Sequence, residues 1–182
     1  LSVISKFKSA PPGLPSSIRI PYPLVDNGTL QAGEYGGWLG SSYNPIVIRT
    51  PKGKEFGGVS RDLGASRIDP KEAIDRKVLS SRLGLLGHLD QFQGIGNSVT
   101  DMDYFRNLAT DMLMSPNVRN AFDLDLESQA TKDKFGNHIC GQSMLLARRL
   151  VQAEVPIVTV ACSAGDLNGS AGDHWDTHAD NF

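Results

Sequence analysis

Apolar residues first recur at helical spacing at Ala73, Ile74, Val78, Leu79, Leu83 and Leu86. Steps of three and four put them on one side of a helix, and such a stripe marks a buried face. Asp69-Pro70 supplies the start. The aspartate accepts from unpaired backbone N–H groups, and proline suits the first helical position. The helix is expected to run to about Phe92 and to stop at Gly94-Ile95-Gly96. A second helix is expected over about 100–114, with Tyr104, Leu108, Met112 and Leu113 turned inward. Ser115-Pro116 repeats the cap-then-proline signal and predicts a short helix over 116–122. The polar stretch "DLDLESQATKDKFGN" has room for another over about 126–134.

The next unit has the clearest pattern. In "HICGQSMLLARRLVQAE", Ile139, Met144, Leu145, Ala147, Leu150 and Val151 follow helical periodicity. "VPIVTVAC" is then a continuous β-branched run without polar alternation, so it is expected to be a strand inside a sheet, buried on both faces. The strand, Val155 to Cys162, should carry the preceding helix, about His138 to Glu154, packed against it. Helix, tight turn, buried strand and glycine-rich loop is an α/β pattern. In open α/β sheets, sites lie beyond the carboxyl ends of the strands. Here that end leads into "SAGDLNGSAGDHWDTHADNF".

Residues 1–64 read differently. Prolines at 11, 12, 15, 21, 23, 45 and 51 and glycines crowded over 33–40 break long helices. "SSIRIPYPLVD" and "NPIVIRT" are short β-branched runs that suit edge or surface strands. "AGEYGGWLGSSYNPI" reads as a loop in which Trp38 and Tyr43 pack as aromatic anchors. It lacks the Gly-Lys-Ser/Thr ending of a phosphate-cradling loop.

Composition narrows the class. The 182 residues are enough for one domain with a real core. A net charge of −2 gives no basic stripe for nucleic acid. No apolar run is long enough for a membrane span. Cys140 and Cys162 read as two buried thiols rather than a disulfide framework. The start at Leu1 shows no signal peptide, and it suggests a fragment.

Candidate chemistry concentrates near residue 176. Asp176 and His178 flank Thr177, and in an extended segment residues two apart face the same side. A carboxylate oxygen and an imidazole nitrogen suit zinc, manganese or iron. Asp173 and His174 form a second pair, with Asp166 and Asp180 as further acids. The competing reading is a solvated loop whose aspartates cap turns. His88 and His138 fall in or near helices and read as surface or capping residues. Cys162 has no assignable base partner, and no Gly-x-Ser-x-Gly elbow, His-Glu-x-x-His or Cys-x-x-Cys motif occurs.

The segments "SPNVRNAFDLDLES", "FGNHICGQSMLLARRLVQAEVPIVTV" and "WDTHADNF", in this order, resemble the bacterial DUF1501 family, which is common in planctomycetes and related to sulfatases and alkaline phosphatases. The resemblance covers most of the chain and is strongest from Ser115 to Phe182. It implies an α/β fold with a partial alkaline-phosphatase-like core, a largely parallel sheet flanked by helices, and an irregular Pro/Gly-rich N-terminal third. On this reading residues 1–182 are a fragment of one such domain. Residues 1–64 carry short strands, and 65–182 carry helices, a buried strand and a metal-type loop. The resemblance further implies that Asp176 and His178 bind one divalent metal, with zinc, manganese and calcium not distinguished. It implies export to the periplasm or outside the cell, and a small-molecule or glycan ester as substrate, hydrolysed at the sulfate or phosphate ester. An early Gly-Gly-x-x-x-x-Asp segment and a Gly-Glu-Phe-Gly-Arg motif of the family are not present, and no nucleophile is identified, so this segment by itself is expected to be inactive. The alternative is a non-catalytic exported binding or surface protein on a hydrolase-derived fold. Oligomeric state is not readable from the sequence.

Overall fold

The computed structural model describes residues 2–21, 23, 25–26, 29–49, 76–92, 100–136 and 138–161. The N-terminal part contains α1 (Ser2–Phe7), β1 (Ser17–Ile20), the short hairpin β2 (Val25–Asp26) and β3 (Thr29–Leu30), and β4 (Ile46–Val47). Between β3 and β4 lie two 3-10 turns, Gly37–Leu39 and Ser41–Tyr43. The rest contains α2 (Arg76–Phe92), α3 (Thr100–Met114), α4 (Pro116–Phe122), α5 (Gln129–Phe135), α6 (Ile139–Gln152) and β5 (Ile157–Val160). A 3-10 turn, Leu124–Leu126, joins α4 to α5. Among the described residues no helix is long and apolar enough to cross a membrane.

Three strands form a parallel sheet in the order β4-β1-β5. The fold is α/β, as the helix-then-strand pattern implies. The centre of the sheet is β1, not the strand after α6. Side chains alternate across a strand, so Ile18 and Ile20 point to one face of β1 and Ser17 and Arg19 to the other. Ile18 and Ile20 enter a core with Val118 and Phe122 of α4, Ile139, Leu146 and Leu150 of α6, and Val155. All four residues of β1 are buried. The expectation of an edge or surface strand at "SSIRI" is therefore corrected. A Ser-Ile-Arg-Ile alternation reads as half-solvated, but here the polar face is covered too.

The opposite correction applies to "VPIVTVAC". Its strand spans only Ile157–Val160, pairs with β1 and is half-buried at the edge of the described sheet. The expected helix does pack against it. Val158, in register with Ile18, joins the core. An apolar run makes burial on both faces affordable without ensuring that anything covers the second edge.

Helix boundaries follow local cap chemistry. Ser115 Oγ accepts from the Val118 amide at 3.4 Å, with Pro116 in the first turn of α4. Ser128 Oγ accepts from Thr131 N at 3.2 Å at the start of α5. The helix expected at 126–134 is thus shifted slightly, to Gln129–Phe135, behind its serine cap. On α3, Leu108 is buried and Met112 packs against the core, whereas Tyr104 is only partly buried. On α2, Val78, Leu85 and Leu86 are exposed. Leu79 and Leu83 of the apolar stripe read there are half-buried, so it is covered in part, and Ala73 and Ile74 lie outside the described residues. Its expected start at Asp69-Pro70 and stop at Gly94 lie outside the described residues. Trp38 is 88% exposed, so it is not the packed anchor its loop suggested, and Tyr43 is half-buried.

Candidate functional site

The three parallel strands end on one edge. Ala161 N donates to Ile20 O at 2.7 Å, and Ile48 N donates to Arg19 O at 2.8 Å. These bonds continue the ladders just past β5 and β4, so the carboxyl ends of all three strands are level. The segment carrying the sequence-derived donors follows Ala161 directly. Asp176 and His178, with Asp166, Asp173, His174, Asp180 and Cys162, lie outside the described residues. Among the described residues no group of three or more His, Cys, Asp or Glu side chains is placed to hold a metal ion.

The polar face of β1 holds a feature that the sequence reading missed. Arg19 and Glu34 form an ion pair at 3.0 Å, with side chains 7% and 8% exposed. Two charges removed this far from water persist only as a pair. Glu34 reaches β1 from the loop before the 3-10 turns. That loop is closed by Asn44, whose Oδ1 accepts from Gly36 N at 2.7 Å. The one available signal was a lone arginine within a β-branched run.

A cavity of about 300 Å³ opens between α1, the Ser41–Tyr43 turn and α3. Ser17 of β1 lines it, with Tyr43 and Tyr104. Burial and the neighbouring Tyr43 both push the Tyr104 phenol above its ordinary pKa, burial contributing more. Tyr104 is therefore a protonated phenol at neutral pH, able to donate and to accept a hydrogen bond.

The stretch "FGNHICGQSMLLARRLV" serves architecture. Gly136, at φ +88°, ends α5. His138 caps α6, its Nδ1 accepting from Gly141 N at 3.1 Å. His88 is exposed on α2, so both histidines take the roles read for them. Gly141 sits where a Cβ would lie 2.0 Å from the Phe135 carbonyl oxygen. Cys140 is half-buried rather than buried. Arg149 bonds Glu127 at 2.6 Å and donates to the Asn120 and Ala121 carbonyls, tying α6 to the end of α4. Arg148 lies 3.4 Å from the same glutamate.

With this stretch resolved into caps, a close backbone approach and a helix-to-helix tie, the family pattern can be laid over the fold. DUF1501, described as a protein of unknown function, matches residues 2–182. The chain belongs to the DUF1501 family. The match spans both the N-terminal strands and the helical part, so β1, its ion pair and the cavity fall within the DUF1501 region. No curated protein and no solved structure matches the chain.

Proposed function

We propose that this DUF1501 chain is part of an exported metal-dependent hydrolase of sulfate or phosphate esters, built on an alkaline-phosphatase-like core. Asp176 and His178 ligate one divalent ion in this reading. The observation that carries it is the common carboxyl edge of β4, β1 and β5, from which the Asp- and His-bearing segment directly continues. That edge is where α/β sheets build their sites. The family resemblance supports the ester chemistry, the export and the choice of donors.

The donor set fits a borderline divalent ion such as zinc or manganese: one carboxylate oxygen and one imidazole nitrogen. Catalytic zinc takes about three protein ligands and keeps a position open, so one more protein donor is required. When bound, such an ion polarises an ester oxygen and activates a nucleophile. This chain's part is to hold it through Asp176 and His178, and the substrate class is a small-molecule or glycan ester.

Calorimetric titration with zinc and manganese, alongside a panel of sulfate and phosphate esters, tests the reading. Asp176→Ala and His178→Ala should each weaken metal binding at least about tenfold, as loss of a ligand leaves an incomplete coordination sphere. Binding should also weaken on acidification through the histidine range, because imidazole must be neutral to ligate. Unchanged binding in both variants returns the segment to a solvated loop. Metal binding without ester turnover, measured on the complete domain rather than on this segment alone, favours the non-catalytic alternative.

A further inference from the structure

The short helix α1 meets the fold by its polar side. Ser2 is buried, and Ser5 is half-buried and lines the cavity beside the Ser41–Tyr43 turn. At about 100° per residue, Val3, Ile4 and Phe7 share the opposite arc, and all three are exposed, Phe7 to 79%. A surface helix ordinarily turns its apolar face to the core. In α1 the serines face the fold and the apolar residues face out.

The apolar surface continues beyond the helix. Lys6 Nζ lies 5.9 Å from the centroid of the Trp38 ring, which joins α1 to the Gly37–Leu39 turn. Trp38 is 88% exposed, and it and Phe7 are the two most exposed large apolar side chains among the described residues. Single exposed apolar residues are ordinary on a protein surface. Two aromatic and two β-branched side chains grouped about one lysine mark a contact surface.

The charges around it select the partner. Lys6 lies on one flank of the apolar arc. The Lys8 amide donates to Ile4 O at 2.8 Å, which carries the helical turn one residue further and sets Lys8 on the other flank. Residues 1–25 contain Lys6, Lys8 and Arg19 and no Asp or Glu, in a chain of net charge −2. Arg19 is neutralised by Glu34, so the positive charge of this region stands beside the exposed apolar face. Aromatic and aliphatic side chains between two lysines suit a lipid interface: the lysine stems run along the apolar layer while the ammonium groups reach the phosphates. A symmetric contact between two copies would instead set Lys6 and Lys8 of both around one apolar centre, like charge against like.

We propose that this face seats the chain on an anionic lipid bilayer, with Val3, Ile4, Phe7 and Trp38 in the interfacial layer and Lys6 and Lys8 on lipid phosphates. The contact is peripheral. It needs neither a membrane-spanning helix nor Asp176 and His178, and it stands apart from the hydrolase reading.

Co-sedimentation of the 182-residue chain with vesicles, in the presence of a chelator, tests the contact apart from any metal chemistry. The vesicles are phosphatidylglycerol mixed with phosphatidylcholine, or phosphatidylcholine alone. At about 1 mM lipid, enough to hold a protein with one marginal anchor, most of the chain should pellet with the anionic vesicles, and affinity for the neutral ones should be at least about tenfold lower. In a Trp175→Phe background Trp38 is the one tryptophan, and its emission should shift to the blue on anionic vesicles. Phe7→Ala and Trp38→Ala should each weaken binding about tenfold, the lower end of what burying such a side chain provides. Lys6→Gln and Lys8→Gln should each weaken it about fivefold on anionic vesicles and leave the neutral ones unaffected. All four positions are exposed, so their urea midpoints should match wild type. Leu126→Ala, exposed on another element, should bind as wild type does. Equal affinity for both kinds of vesicle, no sedimentation with either, or wild-type binding by Phe7→Ala and Trp38→Ala overturns the proposal. Self-association that Phe7→Ala abolishes in analytical ultracentrifugation, without vesicle binding, overturns it as well and gives the face to a second copy.

Discussion

Glu34→Gln is the sharpest perturbation available on the polar face of β1. It keeps the shape of the side chain and removes the charge facing Arg19 across 3.0 Å. At that distance and an effective dielectric of about 20, the attraction is about 5–6 kcal/mol. Desolvating the two ions costs several kcal/mol each, so the intact pair contributes little net stability. Removing one partner is different, because the desolvation cost of the other remains. Breaking a buried pair costs about 3–5 kcal/mol. Arg19 keeps other contacts, so the lower end, about 3 kcal/mol, is expected for Glu34→Gln. Arg19→Met should cost less at neutral pH. A buried carboxyl left alone can take up a proton, whereas a guanidinium cannot release one. The double variant Arg19→Met with Glu34→Leu replaces both charges by apolar groups and should recover most of the loss. Urea denaturation of the four proteins gives the coupling energy directly. A loss under about 1 kcal/mol in Glu34→Gln, or a double variant no more stable than the single ones, refutes the reasoning. It would mean that water reaches the pair and that the face is not sealed.

Two further predictions concern the joints around α6. Gly141→Ala forces a Cβ to within 2.0 Å of the Phe135 carbonyl, where backbone has to move, so a loss of about 1–3 kcal/mol is expected in the same denaturation assay; a neutral effect would show that the α5–α6 junction is loose. Glu154 closes α6 at φ 69°, with its amide on Val151 O and the Val155 amide on Leu150 O. A side chain in that conformation costs about 1–2 kcal/mol and glycine is free of it, so Glu154→Gly should raise stability by about 0.5–1 kcal/mol after the added flexibility of the unfolded chain. A melting temperature that falls instead would show that the Glu154 side chain has a partner worth more than the strain.

What the sequence disclosed divides by the range of the interaction. Ser115-Pro116 announced α4 to the residue because a serine capping an amide three positions on is a local event. The spacing through α6 announced Ile139, Leu145 and Leu150 as inward-facing, but it also named Met144 and Val151, which are exposed, and passed over Leu146, which is fully buried. Asp176 and His178 are metal-donor types by sequence, and their placement lies outside the described residues. Illegible were the features made by distant segments meeting. Ser-Ile-Arg-Ile suits an edge or surface strand as a short β-branched run, and the carboxylate that allows Arg19 to be buried arrives from a loop beyond the β2–β3 hairpin. Trp38 was read as an anchor because tryptophan is usually covered, yet its neighbour is the Lys6 ammonium rather than a core.

The two strand readings failed in opposite directions for one physical reason. The apolarity of Ile157–Val160 makes burial inexpensive, and the alternation of Ser17–Ile20 makes it costly unless each polar group is met. Neither pattern encodes the neighbour. In this fold the neighbours were assigned against the pattern: the uniform strand lies at the described edge, and the alternating strand lies at the centre. A central strand that alternates must find partners for its polar side. Arg19 has found Glu34, and Ser17 has found none among the described residues. The Ser17 hydroxyl is buried without a partner, as are those of Ser2 and Ser143, and each such group is a cost of about 1–3 kcal/mol that the surrounding core offsets. The two polar groups of β1 thus separate by stability alone: Glu34→Gln should destabilise the chain, whereas Ser17→Ala should leave stability equal or higher, because it removes an unpaired buried hydroxyl. If Ser17→Ala instead destabilised the chain in urea denaturation, the hydroxyl would have a partner in solution, and the account of the polar face as sealed around one ion pair would fail.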